Sequence, residues 1–569
     1  MSYTARSHHA RPRYCSFTVH FIKDEDAGSV AVQAKSGQTL LEVAHEHDID
    51  IEGACGGECA CSTCHVILEK EQFDKLPAPD DDEEACGKAM EDSKSQAQVG
   101  TVNPILPVIA EFAKRGCDVR YYLTKDTYVK DVKAAGASPV KFDDYFLRWD
   151  VLMKEEAEWL EAQGCGEGLA ALTADGMALE FLQMRMLHFS LPAGVCLGNR
   201  LVDLWTREDW RPDFVLYNVM LLHPQLAACK LGVPSASFST YPGPGTPMHL
   251  SEIPEGERQA VDDKLAQHPG MQEVNEVAQR LFGVDVCGSQ LQCRFYNRQL
   301  NIVFSVPQLQ GKVPEYQQSL IDDSTFLWAG GTDDLKARTA QRVYAPRQVE
   351  PAPAESECPW DVPSGVKVVI VSLGSLTVDM RWDSAEHVSS KGRFTGRQVS
   401  QRLWSELIER FGDRQDIRFV LSIGPREDAR NVLGDLPSNF VALEYIDQVE
   451  ALRHADVFVT HGGCNSVKEG ALLGVPMIVV PFCVDQPSNG QAIERAGAGT
   501  CFPDPLATPR GAIADALQAA LFDRAPELRR ATQQLGQALR QAGGAPAVAK
   551  ACLNLLRPLA PEGPAVGGA

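Results

Sequence analysis

The chain has 569 residues, 44% of them hydrophobic and 23% charged, with a formal net charge of -22 at pH 7. That length exceeds one hydrophobic core and predicts two or three domains, and the composition predicts ordered globular structure rather than disorder. The acidic balance argues against a nucleic-acid binder, which needs a basic face toward phosphate, and leaves room for an acidic surface that meets a basic protein.

The longest apolar runs, VKVVIVSLGSL and GVPMIVVPFCV, fall short of the ~18 residues that span a bilayer and read as buried parallel strands; no transmembrane segment is expected. The 17 cysteines lack the spacing of a secreted domain and follow no signal-peptide core. Reduced thiols in an intracellular protein are therefore expected, cytoplasmic or organellar, since the start MSYTARSHHARPRY is basic and free of acids.

Residues 15–85 form the first predicted domain. Strand-like runs CSFTVHFI, SVAVQA and CHVILE accompany one helical stretch, TLLEVAHEHD. Before the last run lies CGGECACSTC, in which Cys55, Cys61 and Cys64 stand at spacing C-x5-C-x2-C with small residues between. Such a loop can wrap thiolates around an inorganic centre. Structural zinc is the alternative, but zinc sites usually come as two separated ligand pairs, and no second C-x2-C pair follows. The block EGACGGECACSTCHVIL, with LPAPDDDEE after it, closely resembles the adrenodoxin-type [2Fe-2S] ferredoxins. The resemblance implies a small α+β, β-grasp domain that holds a [2Fe-2S] cluster and serves a redox protein partner. The family's fourth cysteine would fall near residue 101, in GTVNP, where there is none; Cys59 or Cys86 is the candidate substitute, and the domain reads as incomplete.

Residues 86–102 are an acidic, apolar-poor junction, PAPDDDEEACGKAMEDSKSQAQ leading into it. Residues 103–330 then alternate helix and strand: NPILPVIAEFAKRG, CDVRYYLT, DFVLYN, HPQLAACKLG and PSASFST. A Pro-rich linker at 331–364 leads to a second alternating series at 365–559, and 560–569 reads as a disordered tail. Alternation of this kind predicts parallel sheets covered by helices, an α/β chain.

In the second series, DVFVTHGGCNSVKEGALLGVPMIVVPFCVDQPSNG puts a buried strand, a glycine turn and a helix start in succession, an arrangement that offers free backbone N–H groups to phosphate. The full block resembles the donor-site signature of UDP-dependent glycosyltransferases of the GT-B fold, with two Rossmann-like domains. That resemblance implies contacts to the diphosphate from His461, Gly463, Asn465 and Ser466, with Ser375 of SLGS facing it, ribose on Glu469, and sugar hydroxyls on Asp485 and Gln486. EYIDQVEALRHAD matches the segment that usually reads W-x-P-Q, so Tyr445 would stack on uracil and Gln448 would touch the nucleotide. RWDSAEHVSSKGRFTGR reads as a solvated insertion, and DALQAALFDRAPELRRATQQLGQALRQAGGA as amphipathic helices packing on this second domain.

Inverting transfer needs a base for the acceptor hydroxyl and stabilisation of the departing diphosphate, with no metal required in this family. The usual histidine of HGHVNP is replaced in QAQVGTVNPILP by Val99, with Thr101 at the second histidine position, and Asn218 ends the strand where the orienting aspartate would stand. His223 is the substitute base the sequence offers. Because the ferredoxin-like part lacks its end and the transferase-like part its first strand at one junction, the chain reads as a trimmed fusion or a misassembled gene. The leading expectation is an enzyme moving a hexose from a UDP-sugar to a hydroxyl of a small lipophilic acceptor. The alternatives are an iron-sulfur electron carrier with a degenerate transferase half, and a catalytically weak UDP-sugar binding protein.

Overall fold

The structure, a computed structural model, describes residues 16–22, 29–35, 43, 46–47, 102, 104–123, 128–142, 154–174, 191–207, 210–219, 221–244, 260, 263–264, 266–286, 296–311, 313, 315–318, 321–331, 358–374, 377–378, 381–383, 387–389, 392–483 and 485–556. The chain divides into two units, Met1–Gln96 and Ala97–Ala569.

In the first unit, β1 (Ser16–Ile22) and β2 (Ser29–Lys35) form an antiparallel pair in register from Ser16 opposite Lys35 to Ile22 opposite Ser29. Val32 and Ala34 point to one face, as alternate strand residues must, and bury against Val43. The cysteine loop, with Cys55, Cys59, Cys61, Cys64 and Cys86, lies outside the described residues.

The second unit opens with a helix at residues 104–114. It continues through β3 (Arg120–Leu123), β4 (Ser138–Lys141), α1 (Pro192–Arg207), β5 (Val215–Asn218), α2 (Leu222–Leu231), β6 (Ser235–Ser239), α3 (Pro269–Phe282), β7 (Asn301–Val303) and β8 (Phe326–Trp328). Among the described residues the strands make two parallel sheets, β3–β4 and β5–β6–β7–β8. A buried polar cluster ties the second of these together: Ser237 donates to Asn301 at 2.6 Å, and Asn297 donates to Ser235 at 2.7 Å. Helix α1 packs closely on α2 because it carries Gly194 and Gly198 one turn apart, where a Cβ would lie 3.3 Å from Leu222 and 3.1 Å from Leu226.

The rest of the unit contains β9 (Lys367–Ser372), β10 (His387–Ser389), β11 (Gly392–Phe394), α4 (Gly396–Phe411), β12 (Ile417–Ser422), β13 (Phe440–Leu443), α5 (Gln448–Arg453), β14 (Val457–Thr460), α6 (Cys464–Leu473), β15 (Met477–Val479), α7 (Gln486–Arg495), β16 (Gly499–Cys501), α8 (Ala525–Gln541) and α9 (Gly544–Asn554). Six parallel strands run in the order β13-β12-β9-β14-β15-β16. Val369 and Val371 face one core while Val368 and Ile370 face the other, which is why β9 reads as an unbroken apolar run.

Two sequence expectations change here. The stretch after SLGS is not a solvated insertion: β10 and β11 form an antiparallel hairpin, Trp382 and Phe394 are buried in the core, and Trp382 donates to Asp428 at 2.8 Å. The last helix departs from the second half. Helix α8 packs on α6 as expected, but Ala545, Val548, Ala549 and Cys552 of α9 lie in a core with Ile105, Phe238 and Phe304 of the first half. Among the described residues no helix is long and apolar enough to cross a membrane.

Candidate functional site

The chain leaves β9 toward one edge of its sheet and returns at β14 on the other side, so the loops after these two neighbouring strands open a crevice at their carboxyl ends. Residues 461–463 and Gly374 line it. Gly374 and Gly462 have φ of +73° and +84°, backbone that a side chain rarely tolerates. The His461 imidazole is fitted between glycines: a Cβ on Gly374 would stand 2.5 Å from its Cε1, and one on Gly463 would stand 2.4 Å from its Nε2. The ring hydrogen-bonds the Ser372 backbone, and burial pushes its pKa down to about 4, so it is neutral near pH 7.

Gly463 is the N-cap of α6 and, having no side chain, gives no side-chain cap, so the positive end of the helix dipole lies at the glycine turn. Asn465 and Ser466 lie on the first turn of α6. Gln448, the first residue of α5, donates to Ser466 Oγ at 3.1 Å and to Glu469 Oε2 at 2.6 Å, fixing a carboxylate one turn into α6. Asp447, where the family pattern carries proline, caps α5 by accepting the Glu450 N–H at 3.1 Å. Its replacement of the proline therefore keeps Gln448 in place. Tyr445 is 39% exposed just ahead of this cap.

Asp485 starts α7 and is raised in pKa by burial, an effect opposed by the Asn489 hydrogen bond and the nearby Lys468 charge. Asn489 donates at 2.8 Å both to Asp485 Oδ2 and to the Gly462 carbonyl, joining α7 to the glycine turn. Gln486 is turned the other way. Its Oε1 accepts the Phe482 and Cys483 N–H groups at 2.7 and 3.0 Å and its Nε2 donates to Cys483 Sγ at 3.8 Å, so the side chain shapes the loop and at most one amide N–H is left for a ligand.

The structure thus gathers Gln448, His461, Gly463, Asn465, Ser466, Glu469, Asp485 and Gln486 around the ends of β14 and β15. Ser375 lies outside the described residues, as do Val99 and Thr101. His223 is not part of this group. It is 3% exposed, its ring stacks on Phe142 at 6.0 Å, and burial lowers its pKa to about 3. A base needs a path to the acceptor hydroxyl, and this ring is covered, with Phe142 stacked on it. Asn218 is also buried, its carbonyl accepting the Leu221 N–H at 2.8 Å.

Sequence reasoning missed Asn489, Gly374 and Lys468. Asn489 had a signal, since it lies four residues after Asp485 on one helix face. Gly374 is visible only once β9 and β14 are known to be neighbours.

Two family descriptions match the chain. "Erythromycin biosynthesis protein CIII-like, C-terminal domain" covers residues 409–555, and "2Fe-2S iron-sulfur cluster binding domain" covers residues 24–91. The uncharacterized UDP-glucosyltransferase YojK of Bacillus subtilis is 32% identical over 469 residues, 80% of this chain and 95% of that protein. The mitochondrial adrenodoxin homolog of Saccharomyces cerevisiae is 49% identical over 59 residues, 10% of this chain, and the match spans only 34% of that protein's length. Among solved structures, the glycotransferase of kitacinnamycin superposes with a TM-score of 0.54 at 24% identity, covering 80% of this chain and 96% of its own, a likeness of fold.

Proposed function

We propose, since the chain belongs to the GT-B glycosyltransferases and carries a 2Fe-2S ferredoxin-type domain ahead of that part, that its crevice takes a UDP-sugar and passes the hexose with inversion to a small lipophilic hydroxyl acceptor. The observation that carries the reading is the placement of a neutral, glycine-flanked His461 beside the N-terminus of α6, the positive end of its dipole. Charge grows on the diphosphate as the glycosidic bond breaks, and helix N–H groups with a ring N–H are suited to hold it without a metal. Glu469, fixed by Gln448, supports a ribose contact. Tyr445 supports stacking on the base, and Asp485 supports a contact to the sugar.

The acceptor side lacks the usual dyad, and the enclosed His223 does not replace it. Transfer without a positioned base is expected to be slower by roughly 10²- to 10⁴-fold, while donor binding persists. In the ferredoxin-type domain, Cys55, Cys61 and Cys64 supply the thiolates, with Cys59 or Cys86 as the fourth. An iron-sulfur cluster there would supply one-electron transfer to a redox partner. Glycosyl transfer has no net redox change, so no step of it draws on that chemistry.

The test is purified protein given UDP-glucose and a panel of phenolic, sterol and macrolide-like hydroxyl acceptors, read by UDP release and product mass. A glycosylated product that disappears in His461→Ala supports transfer. UDP-glucose binding with no product from any acceptor favours a sugar-nucleotide binding protein.

A further inference from the structure

Lys468 lies on α6 in NSVKEG, between the residues that face the crevice and the body of the domain. It is 1% exposed, and its Nζ has no hydrogen-bond partner. Desolvating an ammonium without a partner is among the more costly arrangements a core can hold, so its position needs an opposing charge. Glu469, its neighbour in sequence, is engaged by Gln448 on another side of the helix. The carboxylate that feels its charge is Asp485, on the neighbouring helix. Helices α6 and α7 pack together, the turn before α6 is bound to Asn489, and Asn489 also holds Asp485 Oδ2. The titratable or charged groups that bear on Asp485 are Lys468 from α6 and Tyr241 from the loop after β6; Asn489, on its own helix, is neutral.

We propose that Lys468 is a positioning residue: it supplies, from within the domain, the positive charge against which the Asp485 carboxylate is held ready for the donor sugar. Too enclosed to meet the ligand itself, it acts through Asp485. Burial alone raises the Asp485 pKa, and a protonated carboxyl both donates and accepts differently toward sugar hydroxyls. The Lys468 charge counters that rise. This inference rests on the crevice being the sugar-nucleotide site.

The experiment compares calorimetric binding of UDP-glucose and of UDP to the full chain from pH 5 to pH 8, for wild type, Lys468→Met, Asp485→Asn and the double variant. Wild type is expected to prefer UDP-glucose and to lose the preference toward acid. In Lys468→Met that loss begins at higher pH, leaving UDP-glucose binding about tenfold weaker near pH 6 while UDP binding is unchanged. In Asp485→Asn the preference no longer varies with pH, and adding Lys468→Met changes nothing further. Should Lys468→Met not fold, Lys468→Gln carries the same comparison. Equal weakening of UDP and UDP-glucose, or a pH dependence like that of wild type, overturns the role of Lys468 and leaves the site reading standing. Failure of wild type to bind either ligand overturns both.

Discussion

Asn489 illustrates how much one amide holds at the residue scale. Asn489→Leu would leave the Gly462 carbonyl and one Asp485 oxygen without their donor, a loss of about 1–3 kcal/mol in stability together with weaker donor binding, measurable by chemical unfolding and titration. Gly374→Ala is sharper. It puts a methyl 2.5 Å from the His461 ring at φ of +73°, so nucleotide binding should fall at least tenfold, with unfolding showing only about 1–2 kcal/mol of strain. His223 sets a pH dependence. Its folded pKa of about 3 lies below the ordinary 6.5, so the unfolded chain takes up its proton first; the stability it contributes is complete above pH 6.5 and drains as pH falls toward 3. Melting temperatures should drop on acidification through that window, and His223→Phe should flatten the drop. The residues gathered at the crevice were legible as a group because they are contiguous in HGGCNSVKE and in the DQ pair. The enclosure of His223 was not, since it depends on Phe142, remote in sequence.

A glycine also decides a close contact between elements. Gly536 on α8 meets α6 so closely that a Cβ would stand 2.1 Å from the Ala471 carbonyl oxygen. Gly536→Ala should therefore separate the two helices at a cost of roughly 1–3 kcal/mol, read by denaturant midpoint. Because α6 carries the crevice residues at its other end, the same variant should loosen nucleotide binding. The strands of the second half were readable as continuous apolar runs because both faces are buried. The hairpin β10–β11 was not, because its strands are three residues each and mostly polar, HVS and GRF, with Trp382 nearby and Phe394 within it in the core.

For the whole molecule, the two-family composition was legible from CGGECACSTC and the HGG block, each a local motif. Where α9 would pack was not, since its amphipathic pattern states that a partner exists and not which one. The loop after β8 meets the α8–α9 turn, with the Gly544 N–H donating to the Ala329 carbonyl at 2.9 Å, and α9 then supplies four side chains to the core of the first half. During synthesis the ribosome releases β3 to β8 long before Val548 and Ala549. The core of the first half must wait for these four side chains until almost the entire second half has emerged. That interval is the window in which a chaperone or a protease meets this protein.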